Sequence, residues 1–187
     1  MKKKLAELLE HREKLSIIDN ARVSSAVLLP LFEHEGRDHI VFIKRTETVR
    51  EHKGQISFPG GSCEKEDGTL LDTALRESWE EIGLLSGDVT VLGELDDEVT
   101  TTSNFVVTPF VGMIPWPYDF VMNPDEVDDI FNVPIPSLLE EGCLQPDTET
   151  LNGKIVTSCK YLYEGRVIWG ATARILNRFL EIYCRAL

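Results

Sequence analysis

The sequence predicts an α/β fold, an α/β/α sandwich around a mixed β-sheet. Two observations carry this: apolar, strand-like runs crowd the first two-thirds of the chain, while one helical segment lies near the middle and another closes it. A third bears on domain count: no repeat, low-complexity tract or linker divides the 187 residues. They read as one domain, residues 1–187, with residues 1–20 as an N-terminal helical extension.

Taken in order, Lys2–Leu15 reads as an amphipathic helix, with Leu5, Leu8, Leu9, Arg12 and Leu15 spaced toward one side. Arg22–Phe32, rich in Val, Ala and Leu, reads as a buried strand. Glu33–Asp38, with Gly36, reads as a hairpin turn into a second strand, His39–Lys44. Gln55–Phe58 suits a short strand leading into a Phe58-Pro59-Gly60-Gly61 turn. Thr69–Leu85 is the central helix: Thr69 can cap it, Asp72 suits the first-turn dipole, and Gly83 can end it in a left-handed conformation. Val89–Leu95 and Phe105–Ile114 read as strands, Met122–Glu126 as a loop and Val133–Glu141 as a short helix. Tyr161–Tyr163 and Val167–Trp169 suit a hairpin about Glu164-Gly165, and Thr172–Arg185 the closing helix.

Composition narrows the function. Hydrophobic residues make up 42% of the chain and charged ones 27%, ordinary values for a globular protein. Net charge is 19 − 32 = −13, and an acidic surface repels nucleic-acid backbones, so no nucleic-acid partner is expected. No apolar run approaches a membrane span. Met1-Lys2-Lys3-Lys4 has the basic start of a signal peptide, but charge interrupts Leu5–Arg12, so the apolar core of such a signal is missing. The expected location is cytoplasmic. Cys63, Cys143, Cys159 and Cys184 are scattered without a C-x-x-C pair and read as reduced thiols.

The chemistry concentrates in Arg76-Glu77-Ser78-Trp79-Glu80-Glu81-Ile82-Gly83-Leu84. Glu77, Glu80 and Glu81 stand at i, i+3 and i+4, on one helix face. Three clustered carboxylates repel one another, and a hard divalent cation, Mg²⁺ or Mn²⁺, is their natural partner. Upstream, Gly60-Gly61 lets backbone approach a metal or a phosphate closely. A solvated acidic face is the plain alternative. Against it stand Arg76, which can pair with Glu80 along the helix, and the stripe Leu71, Leu75, Ser78, Ile82, which can face a core.

These residues resemble the box of Nudix hydrolases, written G-x5-E-x7-R-E-U-x-E-E-x-G-U with U bulky and apolar. Gly61 takes the first glycine, and Arg76, Glu77, Glu80, Glu81, Gly83 and Leu84 fill the second half. Asp67 stands where the family has its first Glu, the stretch from there to Arg76 is one residue longer, and Ser78 occupies a U position. Arg45-Thr46 through Phe58-Pro59-Gly60-Gly61 is similar to the extra motif of coenzyme A pyrophosphatases, with Arg45, Arg50 and Gly54 in register. Ile168–Leu176 resembles the start of that branch's last helix, so the resemblance spans about Arg22 to Leu180.

The resemblance implies the fold stated above and hydrolysis of a nucleoside diphosphate-linked substrate, coenzyme A or acyl-CoA cleaved to 3′,5′-ADP and 4′-phosphopantetheine. It implies Glu80 and Glu81 as main metal ligands, Glu77 as a third ligand or the base, the Gly61 carbonyl as a further ligand and Arg76 as an orienting residue. Glu126 is a candidate base from a later loop, and so is Glu98. Arg45, Arg50, Lys53 and Gly60 are the expected substrate contacts, the basic ones answering phosphates. A small-molecule nucleotide is the expected partner, and a homodimer is one assembly left open. Two alternatives stay open: a Nudix pyrophosphatase of ADP-ribose, a dinucleoside polyphosphate or a dNTP, and a non-catalytic Nudix-fold binding module.

If Arg50 or Lys53 reads the 3′-phosphate of coenzyme A, Arg50→Ala or Lys53→Ala penalises coenzyme A over dephospho-coenzyme A. The expected change in the kcat/KM ratio is about ten- to a hundredfold, the scale of one charge-assisted contact. An unchanged ratio in both variants removes the 3′-phosphate from these residues.

Overall fold

The computed structural model describes residues 2–47, 53–101, 103–151 and 153–187. Its order is α1 (Lys2–Glu10), β1 (Val23–His34), β2 (Arg37–Arg45), β3 (Ile56–Ser57), β4 (Gly60–Ser62), α2 (Leu70–Ile82), β5 (Thr90–Glu94), β6 (Glu98–Val99) and β7 (Phe105–Met113). Then come β8 (Val127–Pro134), α3 (Ile135–Leu138), β9 (Leu144–Leu151), β10 (Lys154–Tyr163), β11 (Arg166–Ile168) and α4 (Gly170–Ala186).

The main sheet is mixed. Its path runs β3-β2-β1-β7-β5, with β4 also paired to β1, β6 to β7 and β8 to β2. β1 and β7 pair in parallel at its centre, from Val23↔Phe105 to Leu31↔Met113; the other pairings are antiparallel. Both faces of β1 are covered, which explains its nearly unbroken apolar run. Ala26, Leu28 and Phe32 meet Ala74, Ile82 and Leu84 of the α2 side. Leu29 and Leu31 meet the other layer, which holds α1, α4 and Tyr161 of β10. This is the expected sandwich of helices on both faces of a mixed sheet.

Several elements depart from expectation. α1 stops at Glu10, five residues before Leu15. The following chain is held by polar contacts instead: Arg12 pairs with Asp96, the Leu15 N–H donates to Asp96 Oδ1 at 2.9 Å, and the Leu15 side chain is exposed. Gly60-Gly61 is not a turn; with Ser62 it forms β4, antiparallel to β1 (Val27↔Gly60, Ala26↔Gly61). Only Ile135–Leu138 of the expected Val133–Glu141 helix is helical, because Val133 and Pro134 still pair with β2.

β8, β6 and β9 escape local reading. Asp128 and Asp129 interrupt β8, which exists because β2 offers a partner edge; Lys44 Nζ donates to Asp128 at 2.7 Å and Arg166 Nη1 to Asp129 at 3.1 Å. β9, sequence Leu-Gln-Pro-Asp-Thr-Glu-Thr-Leu, has the composition of a loop and is drawn into a second, three-stranded sheet, β11-β10-β9. One ion cluster ties this sheet to β6: Arg174 of α4 binds Glu149 of β9, Glu98 Oε1 at 3.1 Å and the Val99 carbonyl at 2.8 Å. Among the described residues no helix is long and apolar enough to cross a membrane.

Leu5 is fully buried in the cluster that holds α4. Leu5→Ala is therefore expected to lower unfolding free energy by about 2–5 kcal/mol in one cooperative denaturant transition. A loss well under 1 kcal/mol would show that α1 is dispensable to the core.

Candidate active site

α2 is built as its sequence dictates. Thr69 caps it, its Oγ1 accepting from the Asp72 N–H at 3.2 Å, and Gly83 ends it at φ 68° with its N–H donating to the Trp79 carbonyl at 2.9 Å. Ala74, Ser78 and Ile82 face the sheet. Ser78, polar at a position where the box calls for an apolar residue, is fully buried and donates its hydroxyl to the Ala74 carbonyl at 2.6 Å. Asn123 and Val121 donate backbone N–H groups to the Glu81 and Ile82 carbonyls, so the loop carrying Glu126 is hooked to the end of α2.

The two glycines of β4 set the backbone against the carboxylates. Gly60 has φ 152°, and any Cβ there would lie 2.6 Å from the Val27 Cα. A Cβ on Gly61 would lie 2.6 Å from Glu77 Oε2, so the Glu77 carboxylate rests directly on the Gly61 backbone. The Gly60 N–H donates to Glu81 Oε2 at 2.9 Å. Gly60 is thus a steric requirement, since a side chain there meets backbone, whereas one at Gly61 would displace the Glu77 carboxylate.

Two arginines offset part of the charge. Arg76 grips Asp67 with Nε and Nη2, both at 3.0 Å, and donates to Glu77 at 3.0 Å, Glu80 at 2.9 Å and the Ser62 carbonyl at 3.0 Å. This planar fork serves five acceptors at once, which Lys could not. The hydrogen bonds from Arg76 hold the Asp67 carboxyl well below the usual carboxylate range. Burial pushes Glu77 up, against the pull of Arg76. Glu81, with a side chain 1% exposed, is pushed up to about 7 by burial, opposed by Arg45 and the Gly60 N–H.

Arg45 lies at the end of β2. Its Nη1 donates to Glu81 Oε1 at 2.6 Å and its Nη2 stands 3.6 Å from Glu126 Oε2, so its head turns to carboxylates. Its Nε is buried without a hydrogen-bond partner among the described residues. Glu126 is half-exposed, and with Glu77, Gly61 and Arg45 it lines a cavity of about 560 Å³. Glu98 instead turns to α4, 3.1 Å from Arg174 Nε and 3.4 Å from Arg178 Nη2. Lys53 is exposed and away from the cavity lining, and Arg50 lies outside the described residues. Opposite the box, Trp169, Gly170 and Thr172 at the start of α4, with Thr101 and Phe105, complete the cavity. Nothing local marks these as site residues; only the packing of α4 brings them there.

Among the described residues, no three His, Cys, Asp or Glu side chains stand in a ready metal array. The arginines, where a cation was expected, satisfy the carboxylates. The donor set still fits a hard divalent ion: the Glu77 carboxylate meets the Gly61 backbone in a cradle that any Cβ would fill, Glu81 lies beside it, and Glu80 is the most exposed of the three glutamates.

The buried Glu81 carries a pH prediction. Its folded value near 7 exceeds the unfolded 4.5, so its contribution to stability is complete below about 4.5 and is lost as pH rises through 7. In metal-free protein, Glu81→Gln should flatten the decline in stability between these limits by on the order of 2–3 kcal/mol, read from denaturant unfolding across the range. Parallel curves for wild type and variant would remove Glu81 as the titrating group.

The family model for the NUDIX domain matches residues 22–155. An uncharacterized Nudix hydrolase, NudL, of Photorhabdus laumondii is 34% identical over 163 residues, covering 87% of this chain and 86% of its own. The NudL of Yersinia pestis strain Pestoides F is 34% identical over 160 residues, covering 84% and 78%. Among solved structures, a MutT/nudix family protein from Enterococcus faecalis superposes with a TM-score of 0.61 at 16% identity, covering 97% of this chain and 68% of that one. A MutT protein from Methanosarcina mazei Go1 gives 0.55 at 18% identity, covering 93% and 96%. A helix of paired glutamates seated on a double glycine is thus found where sequence relatives and fold both lead, and the chain belongs to the Nudix hydrolase family, pyrophosphohydrolases of nucleoside diphosphate derivatives.

Proposed function

We propose that this chain is a Mg²⁺- or Mn²⁺-dependent pyrophosphatase of coenzyme A or acyl-CoA, releasing 3′,5′-ADP and 4′-phosphopantetheine. The observation that carries this reading is the union of two motifs. The Arg45-to-Gly61 stretch that resembles the coenzyme A branch ends in the very glycines on which Glu77 and Glu81 rest, and it begins with the arginine bound to Glu81.

In this reading Glu77, Glu80, Glu81 and the Gly61 carbonyl would hold the metal, which when bound would supply charge neutralisation at the phosphoryl oxygens and an acidified water. Arg76 keeps Glu77 and Glu80 in their rotamers and locks them to Asp67, as a supporting residue should. Glu126 is the base. It faces the cavity with one carboxylate edge toward Arg45, whereas Glu98 is committed to α4. Water adds to phosphorus, one P–O bond of the anhydride breaks, Glu126 takes the water proton, and the departing phosphate keeps the electron pair. Arg45 and Gly60, which line the cavity, and Arg50 remain the substrate contacts of the reading, while Lys53, outside the cavity lining, is left to the coenzyme A against dephospho-coenzyme A comparison. Arg45, in the cavity wall, would meet the phosphate there.

Coenzyme A, acyl-CoA, ADP-ribose, NADH and dNTPs, each with Mg²⁺ and with Mn²⁺, should rank with coenzyme A or acyl-CoA highest in kcat/KM; a higher rank for ADP-ribose or a dNTP overturns the substrate. Glu80→Gln and Glu81→Gln should each lower kcat by at least about a hundredfold, the scale of a lost preorganised electrostatic contact. Both should also shrink the rise in Tm on adding metal, since a ligand that binds only the folded state stabilises it by mass action. Near-normal turnover, or an undiminished metal shift, sinks the metal assignment.

A further inference from the structure

Two hollows meet at Glu126. One is the cavity already described, of about 560 Å³; the other is a groove of about 940 Å³ along the outer side of α2. Trp79, Glu80, Tyr118, Val121, Met122 and Glu126 line the groove. The Glu126 side chain borders both hollows, and the neighbouring glutamates divide between them, Glu77 facing the cavity and Glu80 the groove. The bond-breaking centre therefore lies at a divide with room on either side.

The groove wall is apolar where solvent would favour polar residues. Trp79 is 56% exposed, Val121 71% and Met122 40%, all beside a cluster of charged groups. Contiguous exposed apolar surface of this kind marks a binding surface. Its charge is one-sided among the described residues that line it: Glu80, Asp119 and Glu126, with no Lys or Arg. A second phosphate would be repelled there, while Arg45 sits on the cavity side. Trp79 offers a flat face, and Met122 an adaptable thioether that can follow an irregular chain.

We propose that this groove binds the uncharged, apolar arm of a two-ended substrate, an alkyl- or acyl-bearing group esterified to the far phosphate, while the nucleotide end lies in the cavity. The inference rests on reading the site as a diphosphate hydrolase, and it sets the class of the second half of the substrate. A one-ended nucleotide would leave the groove empty.

Binding without turnover tests it. In EDTA, Kd is measured by calorimetry for octanoyl-CoA, coenzyme A and ADP on wild type, Trp79→Ala and Met122→Ser. Trp79→Ala is expected to weaken octanoyl-CoA by at least about fivefold, as for the loss of one aromatic contact face, Met122→Ser to weaken it in the same direction, and ADP to stay within about twofold in both. Octanoyl-CoA binding wild type no more tightly than ADP, or equal losses for all three ligands, overturns the proposal. So does a dimer in wild type that becomes a monomer in Trp79→Ala by sedimentation velocity, because a second copy would then be the occupant. Absence of hydrolysis with either metal would sink the proposed reaction, while these binding constants would still decide the groove.

Discussion

Mutual repulsion among Asp67, Glu77, Glu80 and Glu81 is the constraint that organises this molecule. Four carboxylates gathered around Arg76 and Arg45 and partly shielded from water would destabilise the packing of α2 unless opposed. Two arginines oppose it from different directions. Arg76, from within α2, binds Asp67, Glu77 and Glu80; Arg45, from β2, reaches Glu81 and the edge of Glu126. The helix can then keep Glu81 nearly sealed from solvent, at the cost of a carboxyl that gives up its proton only near neutrality.

Much of the surrounding architecture serves that compromise. β1 must run at the sheet centre because β4 hangs on it, and β4 carries the glycines that touch Glu77 and Glu81. β1 is fixed in turn by its long parallel register with β7. The far wall of the cavity depends on α4, which is held through Arg174 to Glu98, Glu149 and the Val99 carbonyl. This second ion cluster explains why Glu98, close in sequence to the site loops, is unavailable for chemistry: breaking it would strand buried charges.

The same compromise leaves the carboxylates with unused capacity. The two arginines offset only part of the carboxylate charge, and each carboxylate oxygen can accept more than one partner. In an acidic chain of net charge −13, Arg45 and Arg76 are the positive charge set against these glutamates.

What the sequence determined by itself was local. The α2 caps, its glutamate spacing, the apolar runs of β1, β2 and β7, and the closing helix are written in periodicity and in single residues such as Thr69 and Gly83. The family was legible for the same reason, because the box is contiguous. Tertiary structure decided everything that depends on partners distant in sequence. Gly60-Gly61 resembles a turn until β1 pairs with it, and β8 and β9 are too polar to be strands until β2 and β10 supply their hydrogen bonds. Nothing in the sequence around Arg45 shows that Glu81, 36 residues on, takes its guanidinium. Glu126 and Glu98 are equivalent as loop acids in a string of letters; only packing turns one toward the cavity and the other toward α4. Local free-energy preferences of a few tenths of a kcal/mol are outweighed wherever a long-range pairing or a buried charge is at stake.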